Sequence, residues 1–346
     1  PYVNARAHIG HIKTRTLKDV WVRFKAMQGF NVWLQPGFDC HGLPVENMVE
    51  RELGIKSKKQ IEEMGIDKFI EACRKHAMGN EKEWLRLYRI LGDWRGWYDP
   101  YLTLENYYIE SGWWTVKKLF ERGMLIEGEK STFWCPHCET ALAGYEVTDS
   151  YAEVKDPYIY VKFPIKGKEN EYIVIFTTTP WTLVSNVAIA VRPDKYYVRV
   201  KVGNEILIMA EERVEPVLKE LCGLEYEIQE KFLGKELEGM KYDHPLKDVF
   251  PFIKTLKNAH RIVLSDQYVS LDEGTGLVHT APGHGQEDYK VGKETGLPIV
   301  SPLKMNGTYD ERCGKYSGKS AKACNDEITE EFKIRGLLFH QEKISH

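Results

Sequence analysis

His8-Ile9-Gly10-His11, continuing as Ile12-Lys-Thr-Arg-Thr-Leu17-Lys-Asp-Val20-Trp21-Val-Arg-Phe24-Lys-Ala-Met27-Gln-Gly29, sets the reading of the fold. Leu17, Val20, Trp21, Phe24 and Met27 recur at helical spacing. Gly29 is a fitting stop, because glycine closes helices in a left-handed conformation. The two histidines therefore stand at a helix N-terminus, where unpaired N–H groups and the macrodipole favour an anion. Gly10 between them lets a flat ring lie close. Asn31-Val-Trp-Leu34 reads as the next strand. Pro36-Gly-Phe-Asp39-Cys40-His41-Gly42-Leu-Pro44 reads as the loop at its carboxyl end, where ligands bind in open α/β sheets. Strand, helix, strand with loops at one edge predicts the start of a Rossmann-like α/β sheet. Residues 45–125 read as mostly helical. Phe69, Cys73 and Ala77, then Trp84, Leu87 and Ile90, recur every three or four positions, and a further helix over 106–122 is closed by Gly123. Trp113, Trp114 and Leu119 on it are expected in the core.

From about 153 to 335 the pattern changes to short strands, over 158–163, 172–176, 187–191, 196–202, 206–210 and 261–264, with turn residues between them. Helices are expected around 211–222, 288–295 and 319–335. This predicts a compact β-rich domain set into the Rossmann-like beginning. Two of its stretches carry chemistry. Thr177-Thr178-Thr179-Pro180-Trp181-Thr182 follows an apolar run and offers hydroxyls and backbone N–H groups to a small polar ligand. Gly274-Thr-Gly-Leu-Val-His279-Thr-Ala-Pro-Gly-His284-Gly-Gln-Glu-Asp288-Tyr289 sets two histidines and an aspartate among four glycines, and reads as a site-forming loop. His279, His284 and Asp288 are also spaced so that a metal-dependent hydrolase is an alternative. A non-catalytic RNA-binding module is another.

Length and composition bound the rest. At 346 residues two or three domains fit, and 42% hydrophobic with 29% charged residues is a soluble globular balance. No run approaches a membrane span and no signal peptide opens the chain. A start at Pro1 rather than Met suggests a cut N-terminus. A net charge of −3 does not advertise nucleic-acid binding, so such contact must come from local patches. Lys56-Ser-Lys-Lys59 reads as a solvated helix start. Seven scattered cysteines argue for a reducing compartment, hence the cytoplasm. Only Cys135-Pro-His-Cys138 has metal-ligand spacing, and without a second such pair it reads as half of a tetrahedral zinc site.

These residues closely resemble the isoleucyl-tRNA synthetases, a family of class I aminoacyl-tRNA synthetases, over the whole chain. His8–His11 matches the family's first nucleotide-binding signature. Pro36-Gly-Phe-Asp-Cys-His-Gly-Leu-Pro-Val-Glu46 looks like the isoleucine type rather than its valine and leucine relatives. The threonine and glycine-histidine stretches match the two signatures of the inserted editing domain. The resemblance implies the first half of a class I catalytic domain (1–130), a Cys-x-x-Cys zinc and linker region (131–152), a β-barrel-like editing domain (153–335) and a return segment (336–346). It implies ATP binding, with Mg2+, at His8, Gly10 and His11, and isoleucine's ammonium on Asp39. Thr177, Thr178, Thr179, Thr182, His279 and Asp288 would form the editing centre, with Trp181 as a substrate-binding position. There His279 would limit size, and Asp288 would pair with the α-ammonium of misattached valine. Cys135 and Cys138 would give two of four zinc thiolates. Expected partners are tRNA(Ile), isoleucine, valine and ATP, with a monomeric enzyme. The second nucleotide-binding signature, the partner Cys-x-x-Cys and the anticodon-binding region are absent. This chain alone is therefore not expected to aminoacylate.

Overall fold

The computed structural model describes residues 1–148, 151–266 and 268–345. Residues 149 and 150 of the expected 131–152 segment, together with Gln267 and His346, thus lie outside the described residues. The chain divides into two compact units, Pro1–Gly128 and Glu129–His346.

In the first unit, helix α1 (Ile9–Met27) is followed by strand β1 (Gly37–Phe38), helices α2 (Leu43–Leu53), α3 (Lys58–Met64) and α4 (Ile66–Ile90), strand β2 (Tyr101–Leu102) and helix α5 (Asn106–Glu121). Strand β1 pairs in parallel with β2, and Tyr2 bridges in parallel to Asp39. Helices between parallel strands are the α/β arrangement expected, with Val3, Phe38, Trp84, Tyr88 and Leu102 buried together. The bidentate Arg95–Asp93 pair is buried, and Arg95 also donates to the Arg15 carbonyl at 2.8 Å, tying α1 to the turn after α4. Two expectations fail. Residues 31–34 form no strand, and Trp33 is 88% exposed. Trp113, Trp114 and Leu119 of α5, expected in the core, are 69%, 62% and 37% exposed, and the apolar stripe of α1 faces outward as well, with Met27 84% exposed. Helical spacing shows which side chains share a face, but burial needs a layer packed against that face, and none of the described residues supplies it.

The second unit opens with a small hairpin, β3 (Trp134–Cys135) and β4 (Thr140–Ala141), and helix α6 (Gly144–Thr148). A nine-stranded curled sheet follows. Its strands are β5 (Lys155–Pro164), β6 (Glu171–Thr177), β7 (Ala188–Val191), β8 (Tyr196–Val202), β9 (Glu205–Ala210), β10 (Glu227–Leu233), β11 (Arg261–Leu264), β12 (Val278–Thr280) and β13 (Leu338–Ser345). Helices α7 (Glu211–Val214), α8 (Gln286–Thr295) and α9 (Asn325–Ile334) lie among them. The sheet forks at β6. One edge of β6 pairs with β5 along most of its length, while the other pairs with β9 at Glu171–Ile173 and with β12 at Phe176. One wing runs β9-β8-β10 and the other β12-β7-β11. Ile159, Val161, Phe163, Ile173, Ile175, Val198, Leu207 and Phe332 fill the core. At the fork, Thr275 donates from Oγ1 to the Val174 carbonyl at 2.6 Å and accepts from the Ala210 amide at 2.9 Å. Both flanking glycines have positive φ, +66° at Gly274 and +75° at Gly276. A Cβ on Gly276 would lie 2.4 Å from that of Ala210. The glycines therefore let the chain cross between the wings. His279 proves to sit on strand β12 rather than in a loop, because the stretch after Gly276 is drawn into the sheet by β7.

Candidate active site

Strand β6 ends at Thr177, and a short 3-10 turn, Pro180–Ser185, follows. Proline at the start of that turn needs no N–H partner and presets φ. The turn brings Thr182 back beside Thr179, whose carbonyl accepts from the Thr182 amide at 2.9 Å. Phe176, Thr177, Thr178, Thr179, Trp181 and Thr182 line one side of a cavity of about 370 Å³, and Tyr268, Val278, His279, Ala281, His284, Gly285 and Asp288 line the other. The two stretches singled out in the sequence, about a hundred positions apart, thus share one chamber within the second unit.

The hydrogen bonds there have a fixed polarity. Asn186 Nδ2 donates to the Ala188 carbonyl at 2.9 Å, so the same NH2 group donates to His279 Nδ1 at 2.8 Å. The Tyr242 hydroxyl donates to Asn186 Oδ1 at 2.5 Å and holds the amide in that orientation. His279 then carries its proton on Nε2 and donates it to Thr182 Oγ1 at 3.0 Å. Thr182 spends its own proton on the Thr179 carbonyl at 2.8 Å. Thr179 Oγ1 lies 3.1 Å from Thr182 Oγ1 and 3.3 Å from Thr177 Oγ1, so the hydroxyl protons run from Thr177 to Thr179 to Thr182. Thr182 and His279 are fully engaged and form a rigid wall, whereas Thr177 and Thr179 keep lone pairs toward the cavity.

Burial, reinforced by the neighbouring His284, pushes the His279 pKa down to about 3. Burial alone takes His284 down to about 4. Both are neutral at pH 7. His284 shares a 2.7 Å hydrogen bond with Ser185 and stands edge-on to Trp181 at 5.0 Å. Trp181 is held through its amide to Asn325 Oδ1 at 3.0 Å and through its carbonyl by the Tyr309 hydroxyl at 2.8 Å. Asp288, in the first turn of α8, is the one carboxylate among the lining residues. Its Oδ1 accepts from Tyr268 at 2.7 Å and from the Ala281 amide at 2.8 Å. Burial nevertheless raises its pKa and outweighs those bonds. A Cβ on Gly285 would sit 1.9 Å from Asp288 Oδ2, so only glycine leaves that carboxylate its place. A single acidic group among neutral walls attracts a cation, and the ammonium of an amino acid is of suitable size.

Sequence reasoning missed Asn186, Tyr242 and Tyr268. Asn186, four positions beyond Thr182, is the only one close to a motif. The tyrosines arrive through long-range packing. The metal-hydrolase alternative finds no support in the geometry. His279 has both ring nitrogens engaged, and no cluster of three or more His, Cys, Asp or Glu side chains among the described residues is placed to hold an ion.

In the first unit, His8 caps α1 and His11 occupies its third position. Nδ1 of His8 accepts from the Gly10 amide at 3.2 Å, and Nδ1 of His11 from the His8 amide at 3.3 Å. The rings lie 3.7 Å apart with both Nε2 atoms uncommitted to these bonds. Partial burial, then the His8 charge, lowers the His11 pKa. Asp39 is exposed and loosely held, with Thr103 Oγ1 3.5 Å and the His41 amide 3.4 Å from Oδ1. In the second unit, the Cys138 amide donates to Cys135 Sγ at 3.3 Å and closes the Cys-x-x-Cys turn.

The family of class I tRNA synthetases (I, L, M and V) matches residues 1–241, and the chain belongs to it. Its relatives include the isoleucine–tRNA ligases of Pyrococcus horikoshii, 49% identical, and Pyrococcus abyssi, 48% identical, each match covering 100% of this chain and 33% of the relative. That of Sulfolobus acidocaldarius is 43% identical over 98% of this chain and 32% of its own length. The chain spans about a third of the length of these curated relatives.

Proposed function

We propose that the chain is the N-terminal part of an isoleucine–tRNA ligase, and that the cavity in its second unit hydrolyses valine misattached to tRNA(Ile). The whole enzyme would activate isoleucine with ATP and Mg2+ and charge tRNA(Ile), as a cytoplasmic monomer. Among the described residues no helix is long and apolar enough to cross a membrane. His8, Gly10 and His11 would receive the phosphates of ATP, and Asp39 the ammonium of isoleucine. The exposed faces of α1 and α5 would be covered by the rest of the catalytic domain. Cys135 and Cys138 would hold zinc as two of four thiolates, a structural part with no share in hydrolysis.

The observation that carries the editing reading is the convergence of Thr177–Thr182 with His279 and Asp288 on one cavity. Isoleucine and valine differ by one methylene, which binding separates by only roughly 10- to 200-fold; the isoleucine enzyme is itself the usual illustration of that limit, not a value obtained from this cavity. A second chamber that excludes the longer side chain corrects the remainder. Asp288 would grip the substrate ammonium through a charge-assisted bond. The wall of Thr182 and His279 would set the length of side chain admitted. Thr177, Thr178 and Thr179 would position a water and the ester, so that attack needs no side-chain nucleophile. The test is hydrolysis of valyl-tRNA(Ile) by this chain. Cleavage of valyl but not isoleucyl ester, weakened at least roughly tenfold in Asp288→Ala, supports the proposal. Binding of the charged tRNA without hydrolysis would leave the RNA-binding module instead.

A further inference from the structure

The second unit contains another cavity, of about 320 Å³, lined by residues that the proposed reaction does not use. Lys166, Lys241, Lys247 and Lys254 surround it, and Ile253, Leu256 and Ala259 give it an apolar wall. Lys247 pairs with Asp243 and Lys254 with Asp248, both at 2.6 Å. Lys166 and Lys241 have no ion pair among the described residues, so four ammonium groups face two carboxylates.

Two further features mark the cavity. His260, one of its lining residues, has Nε2 buried without a hydrogen-bond partner. Leaving a buried polar atom unpaired is unfavourable, so the fold gains if ligand binding turns the ring toward a partner. The segment is also strained, since Asn258 and His260 both have φ of +57° without being glycine. The wall behind it is shared with the first chamber. Tyr242 lines this cavity and holds Asn186, which holds His279, and the lining residue His244 bonds the Leu183 carbonyl at 3.0 Å.

A cationic rim beside an apolar wall, in a space of this size, suits a phosphate carried on a sugar and base better than a bare anion. We propose that this cavity binds one phosphate-bearing nucleotide unit, with Lys166 and Lys241 on the phosphate and the His260 ring turning to pair its buried Nε2 with a ligand hydroxyl. If the proposed function holds, the unit belongs to the RNA strand whose charged end enters the neighbouring chamber. A free nucleotide has the same chemistry.

The experiment is calorimetric titration of the full chain with cytidine monophosphate, in parallel with the Lys166→Glu/Lys241→Glu double variant. Saturable binding that weakens at least tenfold in the double variant, and weakens as salt rises, is expected. Lys166→Ala/Lys241→Ala gives the same reading should charge reversal disturb folding. Asp288→Ala is expected to bind the nucleotide normally, so loss of the editing reading leaves this test intact. A single-stranded oligonucleotide that displaces the monophosphate identifies RNA as the source, and failure to displace it identifies a free nucleotide. Absence of saturable binding, or binding indifferent to both lysines, overturns the proposal.

Discussion

Keeping a carboxylate charged inside a half-apolar chamber is unfavourable, and burial raises the pKa of Asp288 despite the bonds from Tyr268 and Ala281. The proposed grip on an ammonium needs the ionised form. Deacylation should therefore fall on the acid side at a pH above that of an ordinary aspartate, about 4, and a kcat/KM profile flat down to that value would contradict the assignment. Charge-assisted bonds contribute about 1.5–3 kcal/mol, so Asp288→Ala should cost roughly tenfold to a few hundredfold in kcat/KM. Gly285→Ala offers a finer test. Gly285 lies at φ −108°, ψ 148°, a conformation that alanine adopts freely, yet its Cβ would displace Asp288 Oδ2. We expect deacylation to drop as in Asp288→Ala with thermal stability nearly unchanged, and full activity would show that the carboxylate position is unimportant. On the opposite wall, His279→Ala should let isoleucyl-tRNA be cleaved, and unchanged discrimination would remove His279 and its partner Thr182 from the size limit.

The fork of the sheet places the threonine turn and β12 side by side. Gly276→Ala introduces a clash with Ala210 at a positive φ, and should destabilise the second unit by about 1–3 kcal/mol in urea unfolding. A midpoint equal to that of the parent would mean that the crossing tolerates a side chain. Legibility differed by element for physical reasons. The helix after His8–His11 and the strand ending at Thr177 were readable, because each combines local periodicity with a stop residue. Strand β12 was not, because its three residues are strands only through pairing with β7 and β6. Residues 31–34 carry strand propensity, but no neighbour among the described residues pairs with them. The site residues that lie within motifs were visible. Tyr242 and Tyr268 were not, because nothing local marks a tyrosine whose partner lies tens of positions away.

At the scale of the molecule, the second unit keeps several histidines neutral by burial. His244 lies well below the ordinary value, His260 and His284 near 4, and His279 near 3. Unfolded histidines protonate near 6.5. Between that pH and the folded values the unfolded chain binds more protons, so stability is fully present above about 6.5 and declines as pH falls toward 4. Asp288, with a raised pKa, opposes this in part. Denaturation midpoints at pH 7 and pH 5 should show the loss, and equal midpoints would contradict the buried neutral histidines. The central claim remains that two distant stretches form one chamber that grips an ammonium and measures a side chain. Its most direct measurement is a crystal structure of this chain with a non-hydrolysable valyl-adenosine analogue. The predicted result is the α-ammonium on Asp288 and the valine side chain against Thr182 and His279. An analogue bound elsewhere, or with its ammonium turned away from Asp288, would contradict the account.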